Sequence, residues 1–446
     1  MLVLNKQVQQ QLCAFSTRPM NTALILIIFI LTVFFPSSST AQNPVTLNLD
    51  DAINQALLAN PNLSAMEARA RAIAEIPGQQ GSLPDPQLSL RAANLPMDTF
   101  ALDQEAMTQL QIALSQALPF PGKLSLRQQI AEFESQSANF NLEQQRLMLI
   151  QDVKMVWWNL YYLDRALETV IRNQELFRQL NTVAQTKYQV GKGLQQDVLM
   201  AQLELSKLLD NEISLNSMRE NESIRLNTLL DQPADTEITL PELEHESILD
   251  DPDSTQLLSQ ALLSSPVIMD QKNKMDAART RVKLVEKNFY PDFMLGATYG
   301  YRQGENPNGS DRADFASLSI TINLPFFNLT EKKSAVSQRK HELFQQVQSL
   351  KSSENSVQAA VLTALSDFNK SSKEVELLET GIIPQAKQTL DSIRAGYQVD
   401  KVDFLNLVQA QTSLYNYETR YWKSFCSANQ ALARLAAATG KEDLGE

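Results

Sequence analysis

Several residue types are scarce in this 446-residue chain, and each scarcity excludes a class of function. The two histidines, His245 and His341, stand far apart with no metal-ligand spacing around them, and neither GxSxG nor HExxH occurs. Glycine is rare, at 13 residues, and the chain has neither a GxGxxG nor a Walker sequence. Carboxylates are plentiful, but on polar helix faces they usually serve solubility. We therefore expect no enzymatic activity, no cofactor and no metal site.

Positive charge is also in short supply. The formal net charge is −12, which argues against a nucleic-acid partner, because such proteins usually carry a basic face. The composition is 43% hydrophobic and 20% charged, which excludes a disordered chain and a polytopic helical membrane protein. Beyond residue 41 no apolar run approaches the ~20 residues that a membrane-spanning helix needs.

The N-terminus has the pattern of an export signal. Lys6 and Arg18 precede an apolar run, Ala23–Phe35, which small residues follow up to Ala41. The run has the length of a signal-peptide core and is too short for a membrane-spanning helix. We predict a signal peptide over residues 1–41; the alternative is a signal anchor that stays in place.

The chain repeats itself over a long distance. YQVGKGLQQDVLMAQ at Tyr188–Gln202 returns as YQVDKVDFLNLVQAQ at Tyr397–Gln411, an offset of 209, and six of the fifteen positions are identical. Three further landmarks repeat in the same order at offsets of 205 or 206: Pro61 and Pro266, Pro86 and Pro291, and LPF at Leu118–Phe120 and Leu324–Phe326. Four ordered matches indicate a tandem duplication, with a period far longer than that of a solenoid.

The duplication predicts the domain organisation. Residues 42–235 form the first structural repeat, with a helix, two strands and a long helical hairpin. Residues 236–254 form an equatorial linker, 255–440 the second repeat and 441–446 a C-terminal tail.

Two strands are expected in each repeat, because apolar and polar residues alternate there. The segments are Gln87–Ala93, Gln109–Leu118, Phe293–Tyr301 and Ala316–Leu324. Segments of about ten alternating residues are typical of membrane barrels, with an apolar face toward lipid and a polar face toward a wet lumen. A soluble antiparallel sheet with one solvated face has the same alternation, so the pattern leaves both open.

Very long helices are expected beside these strands. Lys123–Tyr188 contains no proline or glycine, and its apolar residues recur at steps of three and four. Its ~66 residues would make a helix about 100 Å long, which implies a coiled coil or a helical tunnel. Its partner spans Leu194–Leu230. The second repeat matches with Thr330–Gly396, kinked near Gly381 and Pro384, and with Phe404–Ala438.

Each YQV motif then marks the tip where a long helix turns back. Gly191 and Gly193 supply a flexible turn in the first copy. Asp400, Val402 and Asp403 occupy that place in the second copy, so we expect its turn to be held differently.

Together these features resemble the outer-membrane efflux protein family, the TolC-like exit ducts of Gram-negative transport systems. The resemblance covers Leu47 to about Thr439 and rests on the doubled tip pattern, the paired strands and LPF before each long helix. It implies an α+β membrane protein that forms a homotrimer in the outer membrane. Four strands per chain would build a twelve-stranded barrel, and the helices a periplasmic tunnel; four strands alone cannot close a membrane barrel, whose minimum is about eight.

The resemblance also implies partners and a mechanism. The duct is a passive conduit in contact with outer-membrane lipid, and it is closed at the tips until a periplasmic membrane-fusion adaptor and an inner-membrane pump, of RND type or similar, engage them. The positions that match the docking tips are Tyr188, Val190, Gly191 and Gly193 in the first copy, and Tyr397, Val399, Asp400 and Val402 in the second.

A tunnel constriction is implied near the tips. Asp197 matches an acidic position of the family, whereas Asn406 and Gln409 stand where the family has acids. These departures remove charge and put an electrostatic, cation-sensitive ring in doubt, although Asp403 lies one turn away as a substitute. The alternative is that Asp197 caps a helix and Asp403 is a solvated turn residue.

The resemblance leaves two classes of cargo open, metal cations and organic compounds or drugs, and the residues leave one rival function. The stretch Ser115–Arg127 resembles the version found in the heavy-metal cation efflux branch of the family. The rival is a secreted, soluble coiled-coil structural or interaction protein, which explains the long helices. It does not explain four strands at matched places, whose apolar faces would need a covering partner.

Overall fold

A computed structural model describes residues 46–242 and 253–444. The predicted signal peptide and most of the predicted equatorial linker lie outside the described residues, so the fold is that of the two repeats. Among the described residues, no helix combines the length and the apolar character needed to cross a membrane.

The first repeat begins with short helices, continues with two strands and ends with two long helices. Its elements are α1 (Leu49–Ala59), α2 (Pro61–Ala74), α3 (Ile76–Gly81), β1 (Gln87–Ala93), β2 (Gln109–Leu118), α4 (Lys123–Gln189) and α5 (Gln195–Leu229). The 67 residues of α4 are unbroken, as the absence of proline and glycine predicted, and span about 100 Å.

The second repeat follows the same order. Its elements are α6 (Ser254–Ser264), α7 (Pro266–Glu286), a 3₁₀ turn (Lys287–Phe289), β3 (Phe293–Tyr301), β4 (Phe315–Ile322), α8 (Leu329–Leu377), a π-helical turn (Leu378–Ile382), α9 (Ile383–Gln398) and α10 (Phe404–Thr439). The recurrence of helix, strand pair and helical hairpin agrees with the duplication read from the sequence.

The long helix of the second repeat is interrupted where a kink was expected. Pro384 is the second residue of α9, directly after the π-helical turn at Leu378–Ile382. Proline has no amide hydrogen for the carbonyl four residues earlier, and a π turn re-aligns the helix around that missing bond. The irregularity expected near Gly381 and Pro384 is therefore a π-helical turn.

The repeated prolines Pro61 and Pro266 start helices. Each is the first residue of its helix, where a missing amide hydrogen costs nothing. Before Pro61, the Asn60 side chain accepts hydrogen bonds from the amides of Asn62 and Leu63, at 3.0 and 3.2 Å, and so caps α2.

The four strands form one antiparallel sheet in the order β1-β2-β3-β4. The two repeats meet at β2 and β3, where Leu118 lies opposite Phe293 and Leu110 opposite Tyr301. Strands β1 and β4 are the two free edges. The bounds of β1, β2 and β3 agree with the sequence prediction, whereas β4 runs from Phe315 to Ile322 and not from Ala316 to Leu324.

One face of this sheet is apolar and exposed. The cross-strand pairs Leu88–Leu114, Leu114–Ala297 and Ala297–Leu318 place the alternating apolar residues of all four strands on the same side. At the two edges the exposed fraction is 68% for Leu88 and 89% for Leu318. A contiguous exposed apolar surface of this kind marks an interaction surface.

The two largest buried clusters of the described residues both pack helices against each other. One surrounds Trp157 of α4, whose indole Nε1 donates to the Leu47 carbonyl at 3.0 Å, and includes Leu226 and Phe425. The other lies near the hairpin tips and joins both hairpins, because it combines side chains of α4, α5, α9 and α10. Its buried members are Phe177, Ala184, Ala201, Leu208, Leu390, Tyr397, Phe404, Leu407, Val408 and Leu414.

Candidate functional site

The turn that ends α4 is closed by main-chain hydrogen bonds. The Lys192 amide donates to the Lys187 carbonyl at 2.8 Å, and Gly191 has a φ of +73°. This is the Schellman arrangement, in which a residue after the helix adopts the left-handed conformation that glycine tolerates best. The predicted role of Gly191 in the turn therefore has a defined conformational basis.

The second turn has the same geometry without the glycine. The Lys401 amide donates to the Gly396 carbonyl at 2.9 Å, at positions 209 residues after those of the first turn. Asp400 takes the place of Gly191, with a φ of +56°. Aspartate is among the few other residues found in this region, because its short side chain can bond locally.

Each turn also has a glycine where two residues of the turn pack closely against each other. In the first turn the glycine is the later residue of the pair, and in the second turn it is the earlier one. A Cβ added to Gly193 would lie 2.9 Å from Lys187 Cβ, and one added to Gly396 would lie 2.5 Å from Val402 Cγ2. Lys187 and Gly396 are equivalent in the duplication, as are Gly193 and Val402. In each turn one residue of this pair is a glycine, which avoids the close contact. Gly193 was expected to supply flexibility; the structure gives it a steric role.

Lys187 links the two hairpins. Its Nζ donates to Asp400 Oδ1 at 2.5 Å and to the Tyr397 carbonyl at 2.9 Å, and lies 4.1 Å from the centre of the Tyr397 ring. The hydrogen bond from Lys187, and then its charge, hold the pKa of Asp400 below its usual value. The first hairpin thus closes the turn of the second, which answers how that turn is held without its glycine.

Sequence reasoning did not single out Lys187. A signal for it existed, since a charged residue at the glycine position of a repeated turn needs an oppositely charged partner nearby. The neighbouring copy of the motif was the place to look for that partner.

The predicted tip residues differ in exposure. Tyr188 is 48% exposed, whereas its counterpart Tyr397 is 7% exposed and packs against Phe404 with ring centroids 5.4 Å apart. Val190 and Val399 are both exposed, as are Gly191 and Asp400, whereas Gly193 and Val402 are half-buried. The outer surface of the tips is therefore built from Tyr188, Val190, Gly191, Val399 and Asp400, with Tyr397 supporting it from the interior.

Asp197 and Asp403 stand at the starts of the returning helices, and neither side chain caps its helix. Asp197 is half-buried in the first turn of α5, where a negative charge suits the helix dipole. Burial raises the pKa of Tyr397, and the nearby charges of Asp197 and Asp400 raise it further. Asp403 is exposed and precedes α10 in an extended conformation.

Asn406 and Gln409 lie in an uncharged cleft. They line it with neutral side chains of α9 and α10, among them Gln385, Thr389 and Tyr417. In the part of the chain that the structure describes, no group of three or more His, Cys, Asp or Glu side chains is placed to hold a metal ion.

An ion pair joins the strands to the helices where the LPF motif ends β2. Lys123 Nζ donates to both carboxylate oxygens of Asp292 at 2.9 Å, and the Phe120 amide donates to Asp292 Oδ1 at 2.7 Å. The Lys123 side chain is 5% exposed and that of Asp292 41%. Burial alone raises the pKa of Asp292, but the Phe120 amide and the Lys123 ammonium outweigh it and hold the pKa below its usual value. This pair escaped the sequence reading.

Comparison with known proteins agrees with this architecture. The family model described as outer membrane efflux protein matches residues 52–232 and 257–441, which is one match in each repeat. The chain belongs to the outer membrane efflux protein family. Its members are channels of the Gram-negative outer membrane, which is therefore the location of this protein.

Individual relatives are distant in sequence. The outer membrane protein TolC of Escherichia coli is 24% identical over 406 residues, covering 86% of this chain and 79% of TolC. The cobalt-zinc-cadmium resistance protein CzcC of Cupriavidus metallidurans is 21% identical over 186 residues, 42% of this chain and 43% of CzcC.

Solved channels share the fold. VceC of Vibrio cholerae superposes with a TM-score of 0.74 at 18% identity, covering 88% of this chain and 96% of VceC. The open state of MtrE of Neisseria gonorrhoeae gives 0.73 at 17% identity, covering 91% and 96%. The sheet and the long hairpins therefore have the fold of these solved outer-membrane proteins.

Proposed function

We propose that this protein is the outer-membrane exit duct of a tripartite efflux or export system. It acts as a passive conduit across the outer membrane and the periplasm, and a partner pump supplies the energy. The observation that carries the proposal is the doubled arrangement of a strand pair and a long helical hairpin, matched by the family model in both repeats.

The proposed assembly is a homotrimer. One chain offers four strands, an apolar sheet face and two free edges, and a sheet edge within lipid leaves backbone groups unsatisfied. Three chains would supply twelve strands, an even number above the minimum of about eight for a closed membrane barrel. The apolar face would then contact outer-membrane lipid, and α4, α5, α8, α9 and α10 would continue the barrel as a periplasmic tunnel.

The hairpin tips are the proposed docking site for a periplasmic membrane-fusion adaptor and, through it, an inner-membrane pump of RND type or similar. Tyr188, Val190 and Val399 expose apolar groups around the two turns, which suits burial against a protein partner. Gly191, Gly193, Tyr397, Asp400 and Val402 set the shape of that surface from within the turns.

The constriction is proposed at the same end, lined by Asp197, Asp403, Asn406 and Gln409. Because Asn406 and Gln409 are neutral, Asp197 and Asp403 would supply its negative charge. As cargo we propose heavy-metal cations. The resemblance of Ser115–Arg127 and the partial likeness to a cobalt-zinc-cadmium resistance protein support this class.

Single-channel conductance of the detergent-purified protein in a planar bilayer, with its native mass measured in parallel, tests the duct. A trimer with a small, stable, cation-preferring conductance is the expected result. A protein that is soluble without detergent and shows no conductance would overturn the proposal in favour of a coiled-coil rod.

Docking is tested separately by bulky substitutions at the tips. Gly191→Trp and Asp400→Trp should impair export in cells and leave the trimer intact, whereas Gly78→Trp, at an exposed glycine in α3 with no atom within 4 Å of its added Cβ, serves as the control. Export equal to wild type in both tip variants would contradict the tip assignment.

A further inference from the structure

The two edges of the sheet cannot pair with each other inside one protomer. β1 and β4 are separated by three inter-strand spacings of ~4.8 Å, or about 14 Å. Their outward-facing backbone groups therefore lack partners in a single chain, and under the proposed trimer each edge meets the opposite edge of a neighbouring copy.

We propose that β4 of one protomer pairs antiparallel with β1 of the next in one defined register, with Ile322 opposite Leu90 and Thr321 opposite Arg91. This inference rests on the proposed trimeric barrel and specifies the seam between its subunits.

The register follows from the duplication. The observed pairing of β2 with β3 joins the last strand of one repeat to the first strand of the next repeat. The seam also joins a last strand, β4, to a first strand, β1 of the neighbouring copy. The LPF motif maps Leu118 onto Leu324, and the proline before each first strand maps Phe293 onto Leu88. Since Leu118 lies opposite Phe293, Leu324 is expected opposite Leu88 in the seam, which sets Ile322 opposite Leu90.

The side chains fit this pairing. Directly opposed residues of antiparallel strands point to the same face. Leu88 and Leu90 of β1 and Ile320 and Ile322 of β4 all belong to the apolar face of the sheet, so the seam continues that face without interruption. All seven residues of β1 acquire partners, from residue 319 to residue 325.

The early end of β4 has the same explanation. β2 remains a strand through Leu118 because β3 pairs with its last residues, whereas β4 has only β3 beside it and ends at Ile322. The proposed seam supplies partners for Asn323 and Leu324. It would therefore extend β4 to the end that its alternating pattern predicts.

The junction chemistry changes at the seam. Within a subunit, Asp292 accepts hydrogen bonds from the Phe120 amide and from Lys123. In the seam, the duplication puts Gln87 in the place of Asp292, Phe326 in the place of Phe120 and Leu329 in the place of Lys123. Gln87 of the neighbouring protomer can still accept from the Phe326 amide, but the ion pair is lost. The contacts between subunits are thus neutral where the contacts within a subunit are charged.

One competing register must be excluded. In the first repeat Gln87 lies opposite Ser115, and the duplication maps these residues onto Asp292 and Thr321. In the structure, however, Thr321 lies opposite Met294. The pairing of β3 with β4 is therefore shifted by two residues relative to that of β1 with β2. A seam that carried this shift would set Thr321 opposite Ala93 and keep the same faces. We favour the register of the junction, because the Phe120 amide and Asp292 fix that end of the strands.

Cysteine cross-linking separates the registers. One cysteine is fixed as Thr321→Cys, and the second is Ser89→Cys, Arg91→Cys or Ala93→Cys, three substitutions on the same, polar face of β1. Directly opposed residues have Cα atoms about 4.5–5.5 Å apart, within disulfide range, whereas diagonal ones are about 7–8 Å apart. Under mild oxidation of the membrane-embedded protein, Arg91→Cys with Thr321→Cys should form a covalent trimer about tenfold faster than the other two pairs.

The outcomes distinguish the seam from the duct. The Thr321→Cys variant alone should form no covalent trimer, and it controls for Cys426. Fastest linkage through Ser89→Cys or Ala93→Cys, or no linkage in a protein of trimeric mass, would overturn the register and leave the duct standing. A monomeric mass without conductance would overturn the duct, and the seam with it.

Discussion

Lys187 of the first hairpin and Asp400 of the second form an ion pair, with 2.5 Å between Nζ and Oδ1. The second turn has the conformation of the first without its glycine, and this ion pair lies at the position of that glycine. Asp400 occupies the left-handed position, and the lysine that accompanies it also binds the Tyr397 carbonyl. The two hairpins of one protomer are therefore linked at their tips by two residues whose equivalents in the other repeat are different: Gly396 for Lys187 and Gly191 for Asp400.

Removing the charge of Asp400 should weaken the tie between the two hairpins, by which we mean the Lys187–Asp400 ion pair. Asp400→Asn keeps a residue type that tolerates positive φ and removes the partner of Lys187. We expect faster amide hydrogen exchange over residues 396–402, measured by mass spectrometry on the purified protein. Asp391→Asn is the matched control, since Asp391 lies in α9, the helix that ends just before this turn, and forms an ion pair within that helix, with Arg394 at 3.6 Å. Equal exchange in the two variants would contradict the tie.

The tie should also depend on pH. Because Lys187 lowers the folded-state pKa of Asp400, the pair stabilises the tip above the unfolded-state pKa of about 3.9. That stability is lost as the pH falls through the lower folded-state value. The difference in exchange protection between wild type and Asp400→Asn should be constant from neutral pH to about 5 and should disappear at more acidic pH. A difference that vanished already at neutral pH would argue that the pair contributes nothing.

The glycine pairs predict a compensating substitution. Gly396→Ala places a methyl group against Val402 and should lower the free energy of unfolding by ~1–3 kcal/mol, as overpacking usually does. Adding Val402→Ala removes the conflicting methyl groups and should restore most of the loss. Thermal denaturation in detergent is the measurement, with Gly78→Ala, which meets no atom within 4 Å, as the control. A double variant no more stable than Gly396→Ala would refute the contact.

Substitutions of the equivalent tyrosines Tyr188 and Tyr397 should distinguish a loss of adaptor docking from a loss of stability. Tyr397→Ala empties a buried aromatic site and should cost ~3 kcal/mol, whereas Tyr188→Ala removes an exposed ring and should cost little. If the tips bind the adaptor, Tyr188→Ala should nevertheless reduce export in cells. Denaturation and export are measured on both variants, and a larger loss of stability for Tyr188→Ala would contradict the burial described here.

Removing Asp292 or Lys123 from the ion pair at the strand–helix junction should lower the free energy of unfolding by different amounts. Asp292→Asn leaves the Lys123 ammonium buried without a countercharge, and we expect a cost of ~2–3 kcal/mol, moderated because Asp292 is partly exposed. Lys123→Met removes the buried charge itself and should cost less. The double variant should resemble Lys123→Met in guanidinium denaturation; if it were as unstable as Asp292→Asn, the buried charge would not be the cause.

Much of the fold could be predicted from the sequence because its signals are local. The alternation in Gln87–Ala93 and Gln109–Leu118 gave both strands to the residue, and the lack of proline and glycine gave the length of α4. The end of β4 was wrong by two residues, since a strand needs a partner as well as a pattern. At the tips, Tyr188 and Tyr397 were both expected at the docking surface, but Tyr397 packs against Phe404 of its own hairpin and is 7% exposed, whereas Tyr188 is 48% exposed.

The reciprocal glycines of the two turns restrict how the copies could diverge after the gene was doubled. A side chain at Gly193 would meet Lys187 Cβ at 2.9 Å and main-chain atoms of Tyr188 and Lys187 at 3.0 and 3.1 Å, and a side chain at Gly396 would meet Val402 Cγ2 at 2.5 Å. A route between the two present-day turns that avoids both contacts passes through an intermediate with small residues, glycine or alanine, at both positions. The hairpins are not interchangeable: a chimera that joins the first half of one turn to the second half of the other would bring Lys187 against valine, or glycine against glycine, and only the second of these could close.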